Sequence, residues 1–175
     1  FEMDYDNLLT VLELGNIKLR AEMRNEKEPL VIIGGPCATF NPEPLAAVAD
    51  AFVIGEGEET VQKILDTIYT NTSKEEKLLN LANLPGVYVP KYYTPEYNED
   101  DEFVGMTHDE RVPAKIARQW VKDIDAYPHT SAIVTSGTEF EDMYIVEVAR
   151  GCGRHCRFCM AGYCFRKPRP RALEN

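Results

Sequence analysis

Three cysteines near the carboxyl end of the chain form the pattern best suited to chemistry. Three residues separate Cys152 from Cys156, and two separate Cys156 from Cys159. Thiolates are soft ligands that suit iron–sulfur clusters and zinc, and ligands at this spacing can converge from one looping turn. A [4Fe–4S] cluster held by three cysteines keeps one iron without a protein ligand, where a cofactor or substrate can coordinate. The spacing therefore predicts a cluster with one open position.

The residues around these cysteines resemble the radical S-adenosylmethionine (SAM) superfamily, whose members carry a Cys-x3-Cys-x2-Cys loop after the first strand of a β/α barrel. Residues 147–152 resemble the entry strand, and Phe158 matches the aromatic residue that usually precedes the third cysteine. The resemblance implies that Cys152, Cys156 and Cys159 ligate a [4Fe–4S] cluster. It also implies that Phe158 belongs to the cofactor site.

The same resemblance implies an enzyme with two cofactors, the [4Fe–4S] cluster and SAM. In the superfamily the reduced cluster cleaves SAM to a 5′-deoxyadenosyl radical, which abstracts hydrogen from the substrate. The implied partners are SAM, an electron donor such as flavodoxin or ferredoxin, and a substrate of unknown class. Only 16 residues follow Cys159 (175 − 159), whereas a β/α barrel needs on the order of 200. We therefore expect a fragment that is inactive alone.

Two upstream loops are similar to those of the cobalamin-binding-type domain that precedes many radical SAM barrels. They are residues 34–40 and 55–58, and each follows a predicted strand. Loops at the carboxyl ends of parallel strands face the ligand crevice of an open α/β sheet. The resemblance thus implies that the cofactor-facing residues of this domain are Gly35, Cys37, Gly55 and Gly57.

The histidines of this chain depart from the pattern of cobalamin-binding domains. The family's Asp-x-His-x-x-Gly motif does not occur around His108, His129 or His155, and Cys37 stands where many relatives have histidine. The sequence predicts a domain of the cobalamin-binding type, either with the corrinoid or with the fold alone.

The cysteines could also form a zinc site or disulfides. Cys164 lies four residues beyond Cys159 and would complete a zinc site, although structural zinc usually draws its ligands from two separated pairs. The alternative function is therefore a non-catalytic module, either zinc-stabilised or nucleic-acid-binding. Five cysteines leave one odd, which disfavours a disulfide framework. Glu147 and Arg150 lie at the exit of the supposed barrel strand, where catalytic groups gather. Either residue can pair with the other or interact with the net negative charge of the cluster.

The elements that must position these residues belong to the α/β fold class. Residues 30–33, 52–54 and 87–89 are predicted strands, and residues 42–48 a short helix. Val61, Ile64, Leu65 and Ile68 recur at helical spacing and predict one buried helical face. Two further helices are indicated around Leu8–Leu12 and residues 78–82.

The remainder of the chain completes the predicted organisation. Residues 90–110 are rich in Tyr, Pro, Asn, Asp and Glu and indicate a linker, while residues 116–121, 132–135 and 144–148 are predicted strands. We expect an incomplete doubly wound, cobalamin-domain-like sheet (1–90), a linker and β-rich connector (91–142), and the first strand and cluster loop of a radical SAM barrel (143–175).

Charge and composition limit the classes of function. The 175 residues are 44% hydrophobic with a net charge of −10, and the seven basic residues beyond position 149 oppose only Glu174. An acidic body disfavours nucleic acid as a partner. The basic end is expected to be a solvated or partner-seeking tail, or else to contact phosphates or carboxylates. The sequence contains no signal peptide and no long apolar run, so we expect no membrane association and a cytoplasmic protein.

Overall fold

The computed structural model describes residues 4–139, 141–165 and 167–172. The chain forms two compact units, residues 1–120 and residues 121–175, called here the first and second units.

A three-stranded sheet organises the first unit. Its strands are β1 (Ile32–Ile33), β2 (Ala51–Val53) and β3 (Val87–Tyr88), in the order β1-β2-β3. β1 and β2 are parallel, whereas β3 is antiparallel to β2. The fold class is α/β as predicted, but the antiparallel β3 makes the sheet mixed rather than wholly parallel.

Four helices accompany this sheet: α1 (Asp4–Leu14), α2 (Pro36–Phe40), α3 (Thr60–Ile68) and α4 (Lys74–Ala82). Ser73 caps α4 by accepting a hydrogen bond from Glu76 N at 3.2 Å, which satisfies one of the free amides of the first turn. Short 3-10 helices occur at Ala21–Met23, Glu43–Leu45 and Pro90–Tyr92. The structure thus has a short 3-10 turn in the region predicted to be a helix over residues 42–48.

The hydrophobic core of the first unit lies between the sheet and the helices. Phe52 and Leu81 are fully buried, and Phe52 stacks on Tyr88 with ring centroids 6.0 Å apart. In α3 the predicted buried face is narrower than expected, because Ile64 is buried while Val61 and Leu65 are exposed. Burial of this core is the main source of free energy that holds the first unit together.

A β-hairpin occupies most of the segment predicted to be a linker. It consists of β4 (Tyr93–Tyr97) and β5 (Phe103–His108). Asn98 shapes its turn, because the Asn98 side-chain oxygen accepts hydrogen bonds from Asp100 N and Glu102 N at 3.0 and 2.9 Å. The residues of this Asx turn are polar and show no strand period. The sequence pattern therefore did not predict the hairpin.

The second unit contains little regular structure. Its elements are a 3-10 turn (Ile124–Ala126), β6 (Ala149–Arg150), α5 (Met160–Cys164) and β7 (Arg169–Pro170), with β6 and β7 antiparallel. Residues 132–135 form no strand. Within 144–148 the described structure has one isolated bridge, between Val146 and Thr130, and the strand begins at Ala149 instead.

Candidate functional site

The cysteine loop begins directly after β6, as the sequence predicts. Cys152 is the second residue beyond the strand, and Cys159 immediately precedes α5. Cys159 N donates a hydrogen bond to Cys156 O at 3.2 Å, so these two cysteines flank a single turn. The backbone therefore carries all three cysteines on one short loop between a strand and a helix.

Backbone contacts from the following segment close the base of this loop. Arg150 pairs with Arg169 across β6 and β7, and Cys152 N donates to Phe165 O at 2.8 Å. Gly151 has φ +90°, and a Cβ atom there would lie 2.6 Å from both Phe165 O and Lys167 O. Only glycine fits this close approach, so Gly151 is required for the loop to close.

The three thiols lie on this loop as free, partly exposed groups. None of the five cysteines, all of which lie in the described part of the chain, forms a disulfide, and each is partly buried. Phe158, between Cys156 and Cys159, is 91% exposed. Among residues 4–139, 141–165 and 167–172, no three His, Cys, Asp or Glu side chains are gathered so as to hold a metal ion. Loop closure thus brings the cysteine backbone together without converging the sulfur atoms. His155 is exposed.

A charged cluster supports the strand that leads into the loop. Glu147 accepts hydrogen bonds from Arg150 Nε and Nη2 at 2.7 and 3.1 Å, and it also pairs with Arg171. The hydrogen bond from Arg150, and then that from Arg171, lowers the pKa of Glu147 to about 2. These contacts pair Glu147 with Arg150, which is one of the two alternatives that the sequence leaves open.

Arg171 joins this cluster to the start of the second unit. Its side chain is 5% exposed, and its guanidinium donates to the backbone oxygens of Ile124 and Tyr127. Arg171 N also donates to Val148 O at 3.0 Å. The prediction of a solvated basic tail is wrong for Arg171, because its side chain is buried. The side chain donates hydrogen bonds to acceptors that lie 24 to 47 positions upstream.

The two glycine-rich loops of the first unit meet through one hydroxyl group. Gly35 and Cys37 lie at the start of α2, and Gly55 follows β2. Thr39 Oγ1 donates to Gly35 O at 3.0 Å and accepts from Gly55 N at 3.1 Å. The structure thus brings together the loops of Gly35 and Gly55, as expected for the carboxyl edge of a parallel strand pair.

Gly57 has a different role from that of the other predicted residues. Gly57 O accepts hydrogen bonds from Thr60 N and Val61 N at 3.0 and 2.8 Å, at the start of α3. Its own Cβ position meets Val61 Cγ2 at an ordinary contact distance of 3.4 Å. Gly57 therefore contributes to the entry into the helix.

The chain itself covers the loop at Gly55. Gln119 N donates to Ile54 O at 2.9 Å, and Glu56 N donates to Gln119 O at 3.0 Å, which makes an isolated parallel bridge. Gly55 has φ +106°, and a Cβ atom there would lie 2.1 Å from Gln119 O. This bridge is what the structure has in place of the predicted strand over residues 116–121. No local sequence pattern predicts this bridge, because it pairs residues that are far apart in the chain.

Two comparisons place the chain among known proteins. Residues 1–90 match the family described as radical SAM proteins, N-terminal. The matched residues make up just over half of the chain. Over 177 residues the chain is 28% identical to the uncharacterized protein MJ0966 of Methanocaldococcus jannaschii. That alignment covers 100% of this chain and 31% of the relative, so the chain spans about a third of that protein's length. No solved structure matches the chain.

The chain belongs to the family of radical SAM proteins, N-terminal. The family match confirms the predicted membership of the radical SAM superfamily, and it lies on the first unit rather than on the cysteine loop. None of the helices formed by the described residues has the length and apolar character needed to span a membrane.

Proposed function

We propose that this chain carries the cluster-binding loop of a radical SAM enzyme, in which Cys152, Cys156 and Cys159 hold a [4Fe–4S] cluster. The observation that carries the proposal is the Cys-x3-Cys-x2-Cys spacing directly after β6, on a loop closed at its base, in a chain of this family. Three free thiols are the donor set that such a cluster requires, and their number leaves one iron open. The donor chemistry fits the cluster, and small rotations within the loop would have to gather the sulfur atoms.

The residues of the loop have separate tasks in this proposal. When bound, the cluster and SAM would supply reductive cleavage of SAM to a 5′-deoxyadenosyl radical. Gly151 lets β7 close the base of the loop, and the Glu147–Arg150 pair holds β6 in place. Phe158 is exposed beside Cys159 and would shield the cofactor from water. Cys164 ends α5 and is not among the proposed ligands.

The proposal extends to partners and domain organisation. SAM, an electron donor such as flavodoxin or ferredoxin, and an unknown substrate are the proposed partners, and the proposed compartment is the cytoplasm. We divide the chain into a partial cobalamin-binding-type domain (1–90), a connector (91–142) and the start of the barrel (143–175). Because the chain covers about a third of its relative, catalysis is proposed for the whole protein and not for this chain alone.

We further propose that the first unit keeps the cobalamin-binding type of fold without the corrinoid. The backbone of Gln119 packs directly against Gly55. The space beside this glycine, which a ligand could otherwise occupy, is therefore filled by the chain itself. Cys37, at the start of α2, is partly buried. Titration of the chain with hydroxocobalamin tests this: we expect no change in the corrinoid spectrum, and saturable binding would contradict the proposal.

Anaerobic reconstitution with iron and sulfide tests the cluster proposal directly. We expect iron and sulfide to bind in equal numbers, with broad absorbance at about 400 nm typical of thiolate-bound clusters. Cys156→Ala should abolish this absorbance, because two thiolates cannot hold the cluster. Cys37→Ala and Cys164→Ala are the matched controls and should retain it.

Three results would contradict the cluster proposal. The first is stoichiometric zinc after ordinary purification, the second is loss of iron in the Cys164→Ala control, and the third is no iron uptake by the unmodified chain. The first would favour the zinc-stabilised module, and the second a cluster closed by a fourth cysteine ligand. In the whole protein, reductive cleavage of SAM to 5′-deoxyadenosine is the expected activity.

A further inference from the structure

A cavity of about 770 Å³ lies at the end of the sheet opposite the Gly35 and Gly55 loops. Ala49 and Asp50 line it immediately before β2, and Tyr88 and Pro90 line it from the end of β3. Since β3 is antiparallel to β2, the end of β3 and the beginning of β2 come to the same edge. All residues that line the cavity belong to the first unit. Its volume is that of a pocket for a small organic ligand.

The walls of the cavity are largely apolar. Ala46, Ala47 and Leu78 line it together with the rings of Tyr88 and Tyr93. The two rings pack with centroids 5.0 Å apart and a 55° tilt, so they present both a ring face and ring edges. A surface of small aliphatic and aromatic groups favours a ligand with a hydrocarbon or aromatic body.

The buried cations of the lining are already committed to the protein. The Arg24 guanidinium donates to Asp50 through Nε and Nη2, and to the backbone oxygens of Lys18, Leu19 and Val48. These bonds use all five of its N–H groups. Lys74 Nζ pairs with Asp50 Oδ1 at 2.9 Å and donates to Arg24 O at 2.9 Å. The network keeps one net positive charge, but its donors are mostly used by acceptors of the protein, so it offers few hydrogen bonds to an anionic ligand.

Exposed carboxylates outnumber exposed cations in the rest of the lining. We call them the rim carboxylates: Glu22, Glu26, Glu43 and Glu75. Only Arg20 and Lys91 oppose them among the remaining lining residues, and both are paired, with Glu22 and Glu75 respectively. Tyr88 Oη donates to Glu43 Oε1, while Glu43 Oε2 has no hydrogen-bond partner among the described residues. The rim thus presents an acceptor that carries negative charge next to an apolar wall.

We propose that this cavity binds an organic cation: a small molecule with one ammonium or guanidinium group on a hydrocarbon or aromatic body. Glu43 Oε2 accepts the N–H groups of the cation, and the Ala46, Ala47, Tyr88 and Tyr93 side chains contact the apolar body. The rim carboxylates repel an anionic ligand of the same shape and weaken its binding. This site is separate from the cysteine loop and does not depend on the cluster.

Three probes of matched shape test the charge preference on the unmodified chain: phenethylamine, 2-phenylethanol and 3-phenylpropanoate. They are titrated into the ¹⁵N-labelled chain at neutral pH, and the amide signals of Ala47 and Tyr88 are followed. We expect saturable shifts with the amine, binding about threefold weaker with the alcohol, and the weakest binding with the carboxylate. Equal binding of all three, stronger binding of the carboxylate, or no shift with the amine would overturn the proposal.

Two variants test the position of the ligand. Glu43→Gln removes the charged acceptor while keeping the size of the side chain, and should weaken binding of phenethylamine about threefold without affecting 2-phenylethanol. Glu13→Gln makes the same charge change on the exposed side of α1, outside the cavity, and should leave both affinities unchanged. Equal weakening by both variants would indicate a general charge effect and contradict the assigned site.

Ala47→Phe supplies an independent readout that leaves every charge in place. The added ring occupies the cavity wall and should abolish the amide shifts for all the probes. Circular dichroism and the melting temperature establish that this variant is folded. Unchanged binding of phenethylamine to folded Ala47→Phe would overturn the proposal.

Discussion

The first unit has a core of its own, whereas the second has almost none. Sixteen buried side chains, Phe52 and Leu81 among them, form the continuous cluster of the first unit. In the described part of the second unit, Val121 and Ile124 are the only buried apolar residues. Its large exposed apolar residues are Ile133, Val134, Met143, Tyr144, Ile145, Val146, Val148, Phe158, Met160 and Tyr163.

The difference shows that each unit is stabilised internally by its own type of interaction. The first unit gains its free energy of folding from apolar burial. The second unit depends on backbone hydrogen bonds and on Arg171, which pairs with Glu147 and with backbone oxygens. Substitutions of the same type should therefore have unequal effects in the two units.

The largest expected difference is between two phenylalanines. Phe52→Ala removes a ring that is 0% exposed and should lower the free energy of unfolding by about 4 kcal/mol, because it leaves a cavity in the core. Phe158→Ala removes a ring that is 91% exposed and should change it by less than about 0.5 kcal/mol. Urea denaturation followed by the fluorescence of Trp120 measures the free energy of unfolding of Phe52→Ala. Circular dichroism measures it for both variants. Similar losses would contradict the contrast.

Gly55→Ala tests the close approach within the first unit. We expect a loss of about 3 kcal/mol, because Cβ would lie 2.1 Å from Gln119 O at φ +106°. Gly35→Ala is the matched control: it has a similar φ of +92° but no atom within 4 Å of the new Cβ. That control should lose only the backbone term, about 1 kcal/mol. Equal losses in thermal or urea unfolding would show that the Gln119 bridge is absent in solution.

Arg171→Gln tests the polar interactions of the second unit. Loss of the guanidinium should leave Glu147 with Arg150 alone and remove two bonds to backbone oxygens, at a cost of about 2 kcal/mol. Hydrogen exchange at the amides of Cys152 and Arg171 should then become about 30-fold faster, since both are bonded within this unit. The control is Arg157→Gln, which changes an exposed arginine of the cysteine loop and should leave both exchange rates unchanged.

The smallest expected effect is on the pH dependence of the second unit. The pKa of Glu147 is lowered from 4.5 to about 2, chiefly by its hydrogen bond from Arg150. A lowered pKa in the folded state means that the carboxylate stabilises the unit fully above pH 4.5 and progressively less as the pH falls toward 2. Carboxyl ¹³C titration by NMR measures this pKa, and Arg150→Gln should raise it. An unchanged pKa in that variant would exclude the pair as its cause.

Local patterns predicted most of the first unit. The strands at residues 32–33, 51–53 and 87–88 and the helices α3 and α4 lie where apolar runs and helical spacing placed them. The hairpin was missed because the side chain of Asn98, and not an apolar period, forms its turn. The bridge at Gln119 was missed because its partner, Gly55, lies 64 positions earlier (119 − 55) and no local pattern encodes such a pairing.

The candidate site was predicted less completely than the fold. The order of strand and cysteine loop follows from the sequence, because the strand and the spacing are local features, whereas α5 was not predicted. The closing of the loop does not, since it depends on the pairing of β6 with β7 and on the distant partners of Arg171. Cysteine spacing fixes which thiols share a loop, whereas the orientation of each thiol depends on side-chain rotation that the spacing does not determine.

The position of Arg171 in the chain has a consequence for biosynthesis. Translation proceeds from the amino to the carboxyl end, and Arg171 lies 12 positions after Cys159 (171 − 159). While a nascent chain leaves the ribosome, the three cysteines emerge before the residues that close the loop behind them. Folding of this loop can therefore be completed only after all three cysteines have been synthesised.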